Sequence, residues 1–118
     1  MRGRMVALIT LAVMALGTSA AFATVNTTIT ARYNTDTGYF HGQVDSPNAE
    51  CVGGRRVKVF KKTASGLELQ GRTRANDTGR WRLDVMEASG MYVAVAPVYE
   101  TMGGATCEKA RSKIVDVM

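Results

Sequence analysis

The opening stretch decides how much of this chain is left to fold. Arg2 and Arg4 precede an apolar run from Met5 to Leu16, which gives way to the small-residue stretch Gly17-Thr18-Ser19-Ala20-Ala21-Phe22-Ala23. A charged start, an apolar centre and an A-x-A end, in that order, read as a helical secretory signal peptide with the cut after Ala23. The run is short of the roughly 20 apolar residues that cross a bilayer core, so a membrane span is the weaker reading. Residues 1–23 are therefore expected to leave, and residues 24–118 to form one domain. No later segment is apolar enough to span, and Lys113-Ile114-Val115-Asp116-Val117-Met118 carries no anchoring tail. The expected product is secreted, extracellular or at the cell envelope.

Losing Arg2 and Arg4 lowers the formal net charge from +5 by two. A mild positive balance does not by itself mark a nucleic-acid binder, and none is expected as a partner. About 95 residues support only a modest core, and a domain of that size gains from a covalent staple. Cys51 and Cys107 are the only cysteines. In an exported chain an even count reads as a disulfide. Redox chemistry favours cysteines close together, as in C-x-x-C. A metal site needs more ligands than these two and the single histidine, His41, supply. No metal or other cofactor is expected.

The remaining sequence alternates with a period of two between turn residues, and nowhere repeats apolar residues at helical spacing. Strands are expected at Thr27–Tyr33, Tyr39–Val44, Arg55–Lys61, Leu67–Arg74, Arg80–Val85, Met91–Ala96 and Ser112–Val117. Trp81, Leu83 and Val85 then point inward, and Arg80, Arg82 and Asp84 outward. Met91–Ala96 is apolar on both faces, as a central strand would be. Asn76-Asp77-Thr78-Gly79 has the composition of a tight turn. Seven antiparallel strands at this spacing make an all-β fold, a single β-sandwich closed by one disulfide.

In order along the chain stand Gly42-Gln43-Val44, a cysteine, the R-x-V-x-V strand Arg55–Val59, the D-x-G-x-W segment Asp77–Trp81 and the G-x-Y-x-A strand beginning at Gly90. This series, over about Thr37–Val117, resembles the prealbumin-like or carboxypeptidase-regulatory-like β-sandwich of small secreted bacterial proteins. The resemblance implies an accessory, adhesive or carbohydrate-binding module, by analogy of fold only. The enzymatic branch of that fold, the hydroxyisourate hydrolases, uses several histidines and a C-terminal Tyr-Arg-Gly-Ser, which this chain lacks. Isopeptide-forming relatives need a lysine beside a buried acid; Lys58 and Lys61 offer no such pairing in the sequence.

No catalytic residue is expected, and the chain reads as a non-enzyme. His41 has no nucleophile in a recognisable motif beside it and reads as a plain strand histidine. Trp81 alternates with Leu83 and Val85, so it reads as core in preference to a sugar platform. Tyr99, after Pro97 and beside Glu100, is the exposed aromatic of choice. One pattern goes beyond composition: Arg56, Lys58 and Lys62 share an outward face, as do Arg72 with Arg74 and Arg80 with Arg82. If the three strands lie side by side, they make a positive patch for an anionic polymer. The competing reading, and the favoured one, is a solvated face diluted by Glu68, Gln70, Asp84 and Glu87 that discourages edge pairing. Asn26-Thr27-Thr28 and Asn76-Asp77-Thr78 match the glycosylation pattern, but Asn76 is accounted for by its turn. The expected function is a structural or interaction module, with binding of carbohydrate or an anionic cell-envelope polymer as the alternative and secreted hydrolysis as a distant third. A cell-envelope polysaccharide and another surface protein are the candidate partners.

Overall fold

The computed structural model describes residues 23–118. The expected signal peptide, apart from Ala23 at its cut, lies outside the described residues. Two antiparallel sheets face each other across one core, and a small third sheet closes one side.

The first sheet is organised by β4 (Tyr39–Asp45). Along one edge run β2 (Thr28–Ile29) and β3 (Arg32–Asn34), and along the other β7 (Arg80–Asp84). Ile29 lies opposite Val44 and Arg32 opposite His41, so β2 and β3 keep one register and together make the strand expected at Thr27–Tyr33. Its middle runs close over Gly42: a Cβ there would overlap the Thr30 carbonyl and come within 2.9 Å of the Trp81 indole nitrogen. Only glycine admits that approach. Gly42→Ala is expected to cost about 2 kcal/mol, read as a lowered denaturation midpoint with unchanged strand content by circular dichroism.

The second sheet has the order β11-β8-β5-β6, with β12 also on β8. Its members are β5 (Arg56–Thr63), β6 (Gly66–Arg74), β8 (Gly90–Ala96), β11 (Ala110–Arg111) and β12 (Val115–Val117). β8 is central, as its two-sided apolar sequence implies. A register shift at Val59/Phe60 leaves Gln70 unpaired between Gly71 and Leu69. β6 is an edge strand with no hydrogen-bonded partner on its far side.

Alternation decides what enters the core. Ile29, Phe40, Val44 and Trp81 come from the first sheet, and Val57, Val59, Tyr92, Ala94, Ala96 and Val117 from the second. Trp81 is buried, as expected of a core residue. Phe40 tilts against both Tyr33 and Tyr92, at centroid distances of 4.7 and 4.9 Å, within the range of favourable aromatic pairing. The turn before β7 forms as its sequence implies. Asn76 Oδ1 accepts from the Thr78 and Arg80 amides at 3.0 Å each, and Gly79 takes φ +90°.

The third sheet is made of two-residue strands that alternation could not reveal. β1 (Thr24–Val25) runs parallel to β10 (Thr106–Cys107), which pairs antiparallel with β9 (Tyr99–Glu100). Cys107 of β10 is bonded to Cys51, the last residue of a 3-10 turn at Ala49–Cys51. The expected disulfide is therefore present, its Cα atoms 5.6 Å apart and both cysteines fully buried. Among the described residues no helix is long and apolar enough to cross a membrane.

Candidate functional site

Antiparallel pairing of β5 with β6 sets Arg56 opposite Arg74 and Lys58 opposite Arg72. All four stand on the face turned away from the core, since Val57 and Val59 between them are buried. Like charges directly opposed across a strand pair are destabilising, and here two such pairs are stacked. The sole ion pair among the described residues joins Arg82 to Asp84, so none of the four is neutralised by a carboxylate. The acidic and amide side chains expected to dilute the row lie elsewhere. Glu68 stands opposite Lys61, Gln70 turns its amide to Glu68, and Asp84 is on the other sheet.

A shallow recess of about 420 Å³ is lined by Arg56, Lys58, Arg72, Thr73 and Arg74. It continues into one of about 340 Å³ where Tyr99, Pro97, Val98, Gly54 and Arg55 join Arg56, Lys58 and Arg74. The structure thus brings together five of the residues singled out in the sequence: Arg56, Lys58, Arg72, Arg74 and Tyr99. Lys62 lies farther along β5, opposite Leu67.

Arg80 and Arg82 are not part of this face. Their strand, β7, pairs with β4 in the first sheet, so the three basic strands do not lie side by side and the single patch expected from them divides in two. The reason is topological: the β6–β7 turn carries the chain from one sheet to the other, which a turn sequence does not record. On the first sheet Arg80 and Arg82 join Arg32, Tyr39 and His41 around a concavity of about 580 Å³. The Arg82 guanidinium lies 4.1 Å from the Tyr39 ring centroid, and its Nε donates to Asp84 Oδ1 at 3.3 Å.

Behind the β5–β6 face sits a residue whose part sequence reasoning missed. Arg55, expected merely to begin a strand, is only 3 % exposed. Its Nη1 donates to Cys51 O at 2.9 Å and Thr27 Oγ1 at 3.1 Å, and its Nη2 to Pro97 O and Glu108 O at 2.8 Å each. Burial pushes its proton affinity below the usual arginine range, opposed by the nearby Tyr99 phenol. No side chain lent this away in the sequence, because its partners are mostly carbonyls from distant segments.

The outer face of the second sheet also has an apolar half. Val93 and Val95 of β8 point away from the core yet are buried; Phe60 is the cross-strand neighbour of Val93, and Val95 lines a recess with Phe60, Leu67, Pro97, Val98 and Lys109. Lys61 places its ammonium 5.9 Å from the Tyr92 ring centroid. Among the described residues no three His, Cys, Asp or Glu side chains cluster as metal ligands would.

No protein-family model and no curated protein matches the chain. Among solved structures it is similar to a Fn3-like protein from Clostridium thermocellum, at 11% identity and a TM-score of 0.45, over 78% of this chain and 93% of that one.

Proposed function

We propose that this protein is an exported, non-catalytic β-sandwich module that binds an anionic polymer, such as an acidic glycopolymer of the cell envelope, along β5 and β6. The observation that carries the reading is the doubled like-charge pairing of Arg56 with Arg74 and Lys58 with Arg72. A fold that tolerates four opposed cations without a carboxylate among them retains a local cost. An anionic chain laid along the row removes that cost and releases counterions as it binds. Strands rise about 3.3 Å per residue, so alternate cations are about 7 Å apart along the row. That repeat suits a ligand with regularly spaced charges better than a single small anion. Tyr99, about half exposed at the end of the row, offers a ring for a sugar to stack on. The buried bridge of Cys51 and Cys107 is consistent with an oxidising, extracytoplasmic setting. The prealbumin-like, carboxypeptidase-regulatory-like resemblance belongs to the same reading, as a scaffold that carries binding surfaces on its strands.

Binding of polygalacturonate measured against salt tests this directly. The affinity should fall steeply with salt, and Lys58→Gln/Arg72→Gln should flatten the log-log slope by about two and weaken low-salt binding at least roughly tenfold. The same double variant should melt no lower than the parent, because it removes an opposed pair of like charges. Retention that ignores salt, or an unchanged slope in the double variant, rejects the proposal.

A further inference from the structure

On the other sheet, we infer a second anion site of a different kind: the row Arg32, His41 and Arg82 takes one compact dianionic oxyanion, and a proton on His41 governs its affinity. In the register of β3, β4 and β7, Arg32 is opposite His41 and His41 is opposite Arg82. The three side chains therefore stand in line across three strands, on the face away from Phe40 and Trp81, which are buried in the core. Adjacent strands are about 4.8 Å apart, so His41 has an arginine as its cross-strand neighbour on each side. Thr30, Asn34 and Gln43 add neutral polar groups to the lining of the concavity.

The charged groups facing His41 are few enough to name. Arg32 faces it from β3; Arg82, with Arg80 and Asp84 to either side, faces it from β7; Tyr39 is its aromatic neighbour on β4, edge-on at 5.9 Å between centroids. Asp84 is the single carboxylate in this group and is already bonded to Arg82 Nε. Three guanidinium groups against one carboxylate leave the face positive. The Arg82 guanidinium carbon lies over the Tyr39 ring, 4.1 Å from its centroid. That contact and the bond to Asp84 orient the guanidinium, whose planar fork of donors suits an oxyanion.

A proton on the imidazole has opposite consequences in the empty and the filled site. In the empty site it adds a third positive charge between two others. With a dianion bound it adds a third donor and is drawn to the anion's charge, which offsets the repulsion from the two guanidiniums. Anion and proton therefore favour each other, and linkage makes the coupling reciprocal. Histidine is the side chain that ordinarily gains its charge in the mildly acidic range. The tighter state of the site is thus the acid one, and affinity is lost as pH rises. This site does not depend on the β5–β6 row, which contains no histidine.

The chain has one histidine, so its ring gives one set of proton signals to follow by NMR. Inorganic sulfate is the probe, because it keeps both charges across the range used. Sulfate should move the ring titration to higher pH, and sulfate affinity should rise about tenfold from about pH 8 to about pH 5.5. His41→Gln should bind sulfate with the same affinity at both pH values. Arg32→Gln and Arg82→Gln should weaken sulfate binding and shrink the ring response, while Lys58→Gln/Arg72→Gln should keep both. The proposal is overturned if chloride at matched ionic strength moves the ring as far as sulfate does. Persistence of the pH dependence in His41→Gln, or its loss in Lys58→Gln/Arg72→Gln, overturns it equally.

Discussion

Arg55→Met should lower the stability of this protein by about 4 kcal/mol, a drop of roughly 20 °C in melting temperature for a domain of this size. The methionine fills much of the space but donates nothing. It strands the carbonyls of Cys51, Pro97 and Glu108, each of which now accepts a bond from the guanidinium. A buried carbonyl left without a donor costs about 1–3 kcal/mol. Arg55→Lys should recover only part of the loss, because one ammonium cannot span four acceptors arranged for a planar fork. Thermal unfolding of the three proteins side by side checks the order Arg, Lys, Met. Equal midpoints for Arg55 and Arg55→Met would show that the clamp contributes nothing.

The second large effect belongs to the bridge. Cys51 and Cys107 are 56 residues apart in sequence. Opening a loop of that length returns about 4 kcal/mol of chain entropy to the unfolded state. Cys51→Ala/Cys107→Ala should therefore melt far below the oxidised parent and unfold at a lower denaturant midpoint. Reduction of the folded parent should be slow, since both sulfurs belong to fully buried residues and the thiolate of a reductant must reach them. Two thiols titrating rapidly in the native protein would contradict that placement. The two devices meet at one point: the carbonyl of Cys51 is itself an Arg55 acceptor, so their losses should not simply add.

Much of this architecture was legible because burial imposes a period of two. Arg80-Trp81-Arg82-Leu83-Asp84 reads as a strand with an inside and an outside, and the structure places it so. Asn76 and Gly79 announce their turn by chemistry that is local to four residues. What the sequence left open depends on partners rather than on pattern. The β6–β7 turn gives no sign that the chain changes sheets there, and that change separates Arg80 and Arg82 from Arg72 and Arg74. The two-residue strands β1, β9, β10 and β11 are too short to show alternation, and exist because the bridge and β8 hold their neighbours in place. Arg32, Tyr39 and His41 gather around Arg82 through register alone. Arg55 is the sharpest case: an arginine between Gly54 and Arg56 looks like any solvated strand end until the four segments it joins are folded.

Arg55 also carries a consequence for the order in which the chain can become native. Its acceptors lie at Thr27, Cys51, Pro97 and Glu108, so the last of them reaches it only when nearly the whole described chain has been delivered. Until then the guanidinium keeps its water and the pocket that will enclose it stays open. A chain threaded from its amino end thus has little to gain from closing early around a partial core, and the bridge waits on the same segment, since Cys107 directly precedes Glu108.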